Sequence, residues 1–507
     1  MAGKRSGAAL TDLVQGERAP PPAASAPFEP LTLPSRAERL PFQTKVVYGT
    51  GSFVDVLVNA VLQNFHLFYL TIVCGLSGTL AGAAAFIALT VDAFVDPFVG
   101  SVSDNTRSRW GRRHPFMIAA ALPVALALGL MFSVPKGLSG WPLFAYAIGV
   151  ALFLRFGLSA YVIPYTAMGS ELTDDYHERS VVVAYRHFFG IVATILPLML
   201  GIPLFLKGHA KYLHDSYLPY AWTCAAIVLA GALFCALGTL NDRARLHRAH
   251  HAAQYSLAGQ FREIGEVFRN RSFCILFVCL VIFFIAQGTA GVLALHANTF
   301  FWKLPDSIIA TVSIAIPVGS AIGIPIITFL ARTYEKRTIV LAGQVAFCLV
   351  QGVPPLLRIA GVLPGNGPLL YAVIIADALI AGVIITALVI GFQSMLADAA
   401  DEHDLLFNAR REGLYFAGLS FSVKAAAGAG AFLAGIALDA IGFPTGTTAH
   451  AGTIAAVTVR NLGLIYGPGP ALLTSICILV TWHYRIDRRA HAEIQRKLAE
   501  RNAAASL

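Results

Sequence analysis

Residues 76–103 read LSGTLAGAAAFIALTVDAFVDPFVGSVS and contain only two ionisable side chains, Asp92 and Asp96. About 20 apolar residues are enough to cross a bilayer as a helix, because only a helix satisfies its own backbone polar groups in lipid. A membrane strand would need segments of about 10 residues in which apolar and polar side chains alternate. The stretch is too long and too evenly apolar for a strand, so it predicts a membrane-spanning helix.

Eleven other stretches have the same character, and hydrophobic residues make up 56% of the 507-residue chain. Charged residues make up only 13%, whereas a soluble domain carries about a quarter. The sequence therefore predicts an all-α membrane protein. Its twelve helices are expected at 46–73, 76–103, 115–135, 142–169, 182–206, 217–240, 273–302, 307–331, 338–363, 368–394, 412–440 and 461–484.

The net charge of +9 follows the predicted topology. Of the 37 Lys and Arg residues, 28 lie in the two tails and the even-numbered loops, and only five lie in the odd-numbered loops. Basic residues concentrate on the cytoplasmic side of membrane proteins, so both termini are expected in the cytoplasm. This distribution indicates a multi-pass protein in the lipid bilayer of the cell membrane, the inner membrane if the source is bacterial. It does not indicate a nucleic-acid partner.

The chain divides into two six-helix halves. We expect a disordered cytoplasmic tail at 1–45, a first bundle at 46–240, a polar central cytoplasmic loop at 241–272, a second bundle at 273–484 and a cytoplasmic C-terminal tail at 485–507. Two groups of six helices joined by a long central loop are typical of the major facilitator fold, whose substrate site lies between the halves near the bilayer midplane.

Asp92 and Asp96 are four residues apart on one predicted helix, so their carboxylates lie about one turn apart on the same face. Two such groups repel each other when ionised, unless a cation bridges them or one is protonated. Pro97 withholds a backbone donor from the carbonyl near Ala93, which adds a possible oxygen ligand. We interpret the pair as the binding site of a coupling ion, and as a metal site if that ion is sodium. The alternative is a structural carboxylate pair at a helix end.

Other polar side chains recur within the predicted helices, where each ionisable group is costly and therefore a functional candidate. Ser52, Asp55, Asn59, Gln63 and His66 form one stripe on the first helix, which either lines a water-filled cavity or joins helices together. Lys424 requires a partner, which Asp55 or the acidic pair would supply. Asp55, Asn59, Tyr161, Arg186, Gln287 and Lys424 are therefore the polar candidates for a central substrate site.

Two charged regions predict a gate at the cytoplasmic end. The loop after the second helix begins GSVSDNTRSRWGRRHP at Gly100, and the region between the tenth and eleventh helices is acidic before it becomes basic. Exposed ion pairs between loops of the two halves contribute only about 0–1 kcal/mol each, which suits a gate that must also open. The expected gate residues are Asp104, Arg107, Arg112, Arg113, Asp398, Asp401 and Arg411.

Over about residues 44–484 the chain resembles the glycoside–pentoside–hexuronide:cation symporters of the major facilitator superfamily, the family that includes melibiose permease. The most specific likeness is Asp92-Ala-Phe-Val-Asp96-Pro97, followed by Gly100 and Thr106-Arg-Ser-Arg-Trp-Gly111. Further likenesses are Ile163-Pro164-Tyr165, Glu178-Arg179 with Tyr185-Arg186, Met395-Leu-Ala-Asp398 with Asp401, Arg411-Glu412-Gly413 and Lys424.

The resemblance implies a secondary active transporter that couples a sugar or glycoside to Na+ or H+ by alternating access. It implies that Asp92 and Asp96 bind the cation, with Ser159 as an additional ligand. It places Asp55, Arg186 and Lys424 in the sugar site. Val162 replaces an aspartate of melibiose permease and Thr166 replaces a stacking aromatic, so galactoside recognition is not implied and protons become a plausible coupling ion.

Two other functions stay open. The same branch of the superfamily contains sodium-dependent lysophospholipid symporters, which share the helix-two aspartates and the helix-eleven lysine, so a lysophospholipid or another amphiphile is an alternative substrate. A transporter-like sensor is a further alternative. The chain has no GxSxG, HExxH, P-loop or CxxC pattern, so we do not expect an enzyme or a cofactor beyond the coupling ion. We expect a monomer.

Overall fold

The computed structural model describes residues 40–106, 108–173, 175–241, 265, 267–408, 412–446 and 454–505. Within these residues twelve helices are long and apolar enough to cross a membrane, which confirms the predicted number. They are α1 Phe42–His66, α2 Gly78–Asn105, α3 His114–Met131, α4 Gly140–Glu171, α5 Glu178–Phe205, α6 His214–Gly238, α7 Arg271–Phe301, α8 Asp306–Thr333, α9 Lys336–Ile359, α10 Pro368–Phe407, α11 Gly418–Ala440 and α12 Ala456–Thr481.

Several helix limits differ from the predicted ones. Helix α1 begins at Phe42, inside the stretch expected to be a disordered tail, and residues 1–39 of that tail lie outside the described part. Helix α10 continues to Phe407, past the predicted end at 394, because Met, Leu, Ala and Glu, which are strong helix formers, make up most of residues 395–407. Helix α12 is interrupted at Gly467, after which Pro468 opens a new helical segment. Most of the predicted central loop lies outside the described residues.

The predicted C-terminal tail contains a further helix, α13 (Arg488–Ala505), which packs against the end of α10. Ile494 and Leu498 are buried in the hydrophobic core of the second half. On the polar side, Gln495 donates a hydrogen bond to Asp401 at 2.7 Å, and Arg501 pairs with Asp404 at 2.9 Å. These contacts attach the tail to the C-terminal bundle.

We call the end of the bundle that carries the odd-numbered loops the outer end, following the charge-based prediction, and the opposite end the inner end. At the outer end α2 and α11 of the two halves pack without intervening side chains, through Gly78, Gly82 and Gly435. A β-carbon at Gly435 would lie 2.0 Å from the Gly78 carbonyl oxygen. Asp439 accepts hydrogen bonds from the backbone N–H groups of Gly78 and Thr79, both at 2.8 Å. We call this pair of bonds the Asp439 cap.

Further contacts between the halves close the outer end. Lys211 pairs with Asp306 at 2.6 Å, and the ring nitrogen Nε2 of His296 lies 3.0 Å from the Thr71 hydroxyl. Phe68 of the first half stacks near His296 and Phe300 of the second. At the inner end, by contrast, the ion pairs among the described residues join partners of the same half. In the part of the chain that the structure describes, the outer end is therefore closed by contacts between the halves.

Gly435→Ala is expected to weaken this closure. The added methyl group overlaps a backbone carbonyl that cannot rotate away, and overpacking of this kind costs about 1–3 kcal/mol. Since 1.4 kcal/mol corresponds to a factor of ten, the outward-open population should rise about 5- to 150-fold. Burial raises the pKa of the nearby outer-end thiol of Cys74 to about 12, so in the closed conformation this thiol reacts slowly.

The measurement is the rate at which a membrane-impermeant maleimide modifies Cys74 from outside. Opening exposes the thiol and restores its ordinary pKa, so Gly435→Ala should accelerate the modification. Gly149→Ala is the matched control, because nothing lies within 4 Å of a β-carbon added there. Equal modification rates in the parent and in Gly435→Ala would contradict the prediction.

Candidate cation and substrate site

The acidic pair of α2 lies in the interior of the protein, and Ser159 of α4 is placed between the two carboxyl groups. The Ser159 hydroxyl oxygen is 2.8 Å from Asp92 Oδ1 and 2.7 Å from Asp96 Oδ1. Asp92 and Ser159 are each only 2% exposed. A hydroxyl group has one hydrogen and can donate to one carboxylate at a time. The second short oxygen–oxygen contact is therefore stabilised when a carboxyl group carries a proton or when a cation lies among the three oxygens.

Lys424 of α11 reaches the same two carboxylates from the other half of the protein. Its ammonium nitrogen lies 2.9 Å from Asp92 Oδ2 and also pairs with Asp96 Oδ2. The sequence left open whether Asp55 or the acidic pair would partner Lys424, and the geometry selects the acidic pair. In this conformation the lysine thus places a positive charge beside both carboxylates.

A second polar network lies next to the acidic pair. Asn59 donates a hydrogen bond to Asp55 Oδ1 at 2.7 Å, and Arg155 donates to Asn59 Oδ1 at 3.2 Å. Arg155 was not among the expected substrate residues, although it shares the α4 face of Ser159 at a spacing of four. That spacing was the available signal, since residues four apart on a helix project to the same side.

Two adjoining cavities lie between the halves. The first has a volume of about 560 Å3 and is bordered by Arg186, Gln287 and Thr166 among other residues. The second, about 440 Å3, is bordered by Asp92, Asp96, Ser159, Asn59 and Lys424. Residues of α1, α4 and α7 border both, namely Asp55, Gln63, Val162 and Gln287. The expected ion residues and most of the expected substrate residues therefore border one continuous central space.

Tyr161 is the exception, because the structure places this side chain away from both cavities. Its side chain is fully buried inside the first half, and its hydroxyl donates a hydrogen bond to the Ala232 carbonyl at 3.2 Å. One helical step is 100°, so the α4 face that presents Ser159, Val162 and Thr166 to the cavities turns Tyr161 toward α6.

This difference predicts contrasting effects of two substitutions. Tyr161→Phe should leave the KM of uptake within about twofold, since it removes one hydrogen bond remote from the cavities. Arg186→Gln should raise the KM at least tenfold, since removal of a charge-assisted hydrogen bond costs about 1.5–3 kcal/mol. Concentration dependence of uptake into proteoliposomes measures both. A larger effect of Tyr161→Phe than of Arg186→Gln would contradict this assignment.

The expected gate residues that the structure describes form ion pairs within their own halves. Arg113 pairs with Asp104 and, at 2.8 Å, with Glu171, while Arg112 lies 3.4 Å from Glu171. In the second half Asp398 pairs with Lys336 at 2.7 Å, and Asp401 lies 3.0 Å from His491. The acidic residues belong to α10 and not to a loop, and Arg107 and Arg411 lie outside the described residues. A gate across the halves stays a prediction for the conformation that is closed at the inner end.

Twelve membrane helices around a central cavity, with ionisable groups at its wall, define a transporter that works between two halves. The family model described as MFS/sugar transport protein matches residues 47–488, and the chain belongs to this family of the major facilitator superfamily. It is therefore a multi-pass protein of the cell membrane and a transporter, in agreement with the prediction that it is not an enzyme.

Named relatives agree with this assignment, and a solved structure shares the fold. The chain is 26% identical to the Uncharacterized symporter sll1374 of Synechocystis sp., over 92% of this chain and 98% of the relative. It is 24% identical to the Isoprimeverose transporter of Lactiplantibacillus pentosus, over 92% and 94% of the two chains. A structure of a variant of the nucleoside transporter NupG superimposes with a TM-score of 0.59 at 13% identity, covering 86% of this chain and 99% of that one. The likeness to NupG concerns the fold alone.

Proposed function

We propose that this chain is a symporter that uses a Na+ or H+ gradient to move a sugar or glycoside across the membrane by alternating access. The observation that carries the proposal is the contact of Lys424 with both Asp92 and Asp96. Relatives with names such as Isoprimeverose transporter and Glucuronide carrier protein homolog support the substrate class.

The cation step follows from the geometry of the acidic pair. Lys424 belongs to the second half and the carboxylates to the first, so this contact is an electrostatic bond between the halves. A cation that enters among Asp92, Asp96 and Ser159 supplies the positive charge that Lys424 supplies in its absence. The lysine is then released, and a bond that favours the conformation with a closed outer end is weakened. Ion binding thus changes the relative stability of the two conformations.

The substrate step uses the 560 Å3 cavity, whose volume is typical of small-molecule sites. Asp55, Arg186 and Gln287 offer hydrogen-bond acceptors and donors of the kind that pair with sugar hydroxyls. Tyr165 and Tyr466 provide aromatic surface at its wall. Asp55 also belongs to the network of Asn59 and Arg155 beside the acidic pair, so a substrate at Asp55 lies next to the ion site. This proximity supports coupled binding.

Uptake by the purified protein in proteoliposomes tests the proposal. Labelled mono- and disaccharides and their glycosides are offered under an imposed Na+ gradient, an imposed proton gradient, or neither. We expect accumulation above the external concentration for at least one saccharide with one of the two gradients. Accumulation of lysophospholipids alone would replace the substrate class, and saccharide binding without flux would indicate a sensor.

A further inference from the structure

Asp377 of α10 is a membrane-embedded carboxylate that the proposed cycle does not use. It borders a small cavity of about 60 Å3 in the second half, together with Asn298, Trp302, Gln351 and Tyr466. Among the described residues no hydrogen bond or ion pair of its carboxylate is recorded. Asp377 is half-buried within a membrane-spanning helix, where an unpaired carboxylate is costly when ionised and a cation or a proton would neutralise it.

Oxygen atoms other than the carboxylate surround this cavity. Helix α9 contains Pro354 and Pro355, whose nitrogens cannot donate to the carbonyl groups one turn earlier, those of Val350 and Gln351. Val350, Gln351 and both prolines border the cavity. In other transporters, backbone carbonyls freed from a broken helix coordinate the coupled ion. The tandem prolines thus leave two backbone carbonyl oxygens without their helical donors beside this cavity, and the Gln351 carbonyl oxygen lies next to Gly467 of α12.

Two side-chain amides add further possible ligands to this cavity. Gln351 donates its Nε2 to the Tyr466 carbonyl at 2.7 Å, which leaves its amide oxygen available as a ligand. Asn298 is 4% exposed, borders the cavity and has no recorded side-chain hydrogen bond within the described residues. A space of 60 Å3 exceeds the roughly 10–15 Å3 that one water requires, so it has room for a small ion with water. Carboxylate, amide and carbonyl oxygens are the ligands of hard cations.

We propose that Asp377, with Asn298, the Gln351 amide oxygen and the carbonyl oxygen freed by Pro354, forms a second site for a monovalent cation, Na+ or H+, in the C-terminal half. Ile316, Gln351, Ala381 and Tyr466 border both this cavity and the 560 Å3 substrate cavity, so the two spaces adjoin. The site is separate from Asp92 and Asp96, which belong to the other half. Tyr466 is the other titratable side chain along its wall.

Binding is tested directly on the full-length protein, without transport. Trp302 borders the cavity, and the chain has four other tryptophans, Trp110, Trp141, Trp222 and Trp482. Replacing these four by phenylalanine makes Trp302 the only tryptophan reporter. Its emission is followed while NaCl replaces choline chloride at fixed pH, and separately while the pH is varied without sodium. A saturable response to sodium assigns Na+, and a response to pH alone assigns H+.

We expect Asp377→Asn to shift the midpoint of this response at least tenfold or to remove it. Asp377→Glu should retain it, and so should the double variant Asp92→Asn/Asp96→Asn. Asp215→Asn is the matched control, since this carboxyl is surface-exposed and paired with Lys136. No response to either ion, an unchanged response in Asp377→Asn, or loss of the response in the Asp92/Asp96 variant alone would overturn the proposal.

The inference adds an ion to the proposed symport, but the binding test does not depend on it. If transport of every saccharide fails, the fluorescence result still decides whether the second site exists. If uptake is found, Asp377→Asn should lower the Hill coefficient for the coupling ion from about two to about one while accumulation persists. Size-exclusion chromatography of each variant verifies that it is folded.

Discussion

Asp92→Asn and Asp96→Asn are each expected to abolish accumulation of substrate against its gradient. Each cation that moves down a tenfold gradient provides about 1.4 kcal/mol, enough to maintain a tenfold substrate gradient. Both variants lack one of the charges that hold a cation beside Ser159, so the internal concentration should rise only to about the external one. The measurement is the steady-state accumulation ratio in proteoliposomes under the imposed gradient.

Exchange of substrate without a gradient separates coupling from folding. Binding and equilibration require the cavities but not the ion, so both variants should retain slow downhill flux. Asp215→Asn serves as the control, because it makes the same chemical change at an exposed carboxyl group. Full accumulation ratios in both Asp92→Asn and Asp96→Asn would rule out a coupling role for the acidic pair.

Lys424→Gln is expected to have the opposite effect on ion affinity and an equally large effect on transport. Without the ammonium group the two carboxylates face each other uncompensated, and an external cation no longer competes with the lysine. We expect cation affinity to rise at least tenfold, and thermal stability in detergent to depend strongly on sodium or on low pH. Removing one partner of a fully buried pair costs about 3–5 kcal/mol, and the cost here is smaller because the Lys424 side chain is 33% exposed.

Tighter ion binding should not bring faster transport in this variant. Cation entry would no longer break a bond between the halves, so ion binding and the conformational change are uncoupled, and uphill uptake should fall about a hundredfold. Lys424→Arg keeps the charge and should retain part of the activity, whereas Lys136→Gln alters an exposed pair and should retain all of it. Wild-type ion affinity in Lys424→Gln would contradict the proposed competition.

The fold was largely predictable from the chain because lipid imposes a strong constraint. A helix must be long and apolar to cross the bilayer, and all twelve met that condition. The ends of helices that extend outside the membrane were harder to predict from the sequence. Residues 395–407 extend α10 although Asp398, Asp401, Glu402 and Asp404 interrupt the apolar run, and a criterion based on unbroken apolar runs ends the helix before them.

The candidate site, too, was predictable only in part. The proximity of Asp92 to Asp96 follows from a spacing of four on one helix, but their contact with Lys424 joins residues more than 300 positions apart. Only the packing of α2 against α11 decides it. Tyr161 shows the limit of reasoning from neighbours in sequence, since one residue of displacement turned it away from the cavities. The partner of Arg113, Glu171, was missed because its place at the end of α4 becomes relevant only after the loops fold back.

The Asp439 cap has a consequence for the energy of the cycle. A charged acceptor bound to two amides contributes about 1.5–3 kcal/mol per hydrogen bond, and the bonded amides belong to the positive end of the α2 dipole. Opening toward the outside separates this carboxylate from these amides and leaves water to solvate both. Two such bonds stabilise the closed outer end by about 3–6 kcal/mol, more than the roughly 1.4 kcal/mol that a tenfold gradient of one cation provides. The cap thus keeps the resting protein shut against leakage, and the outer end opens only when bound ion and substrate stabilise the open conformation by a comparable amount.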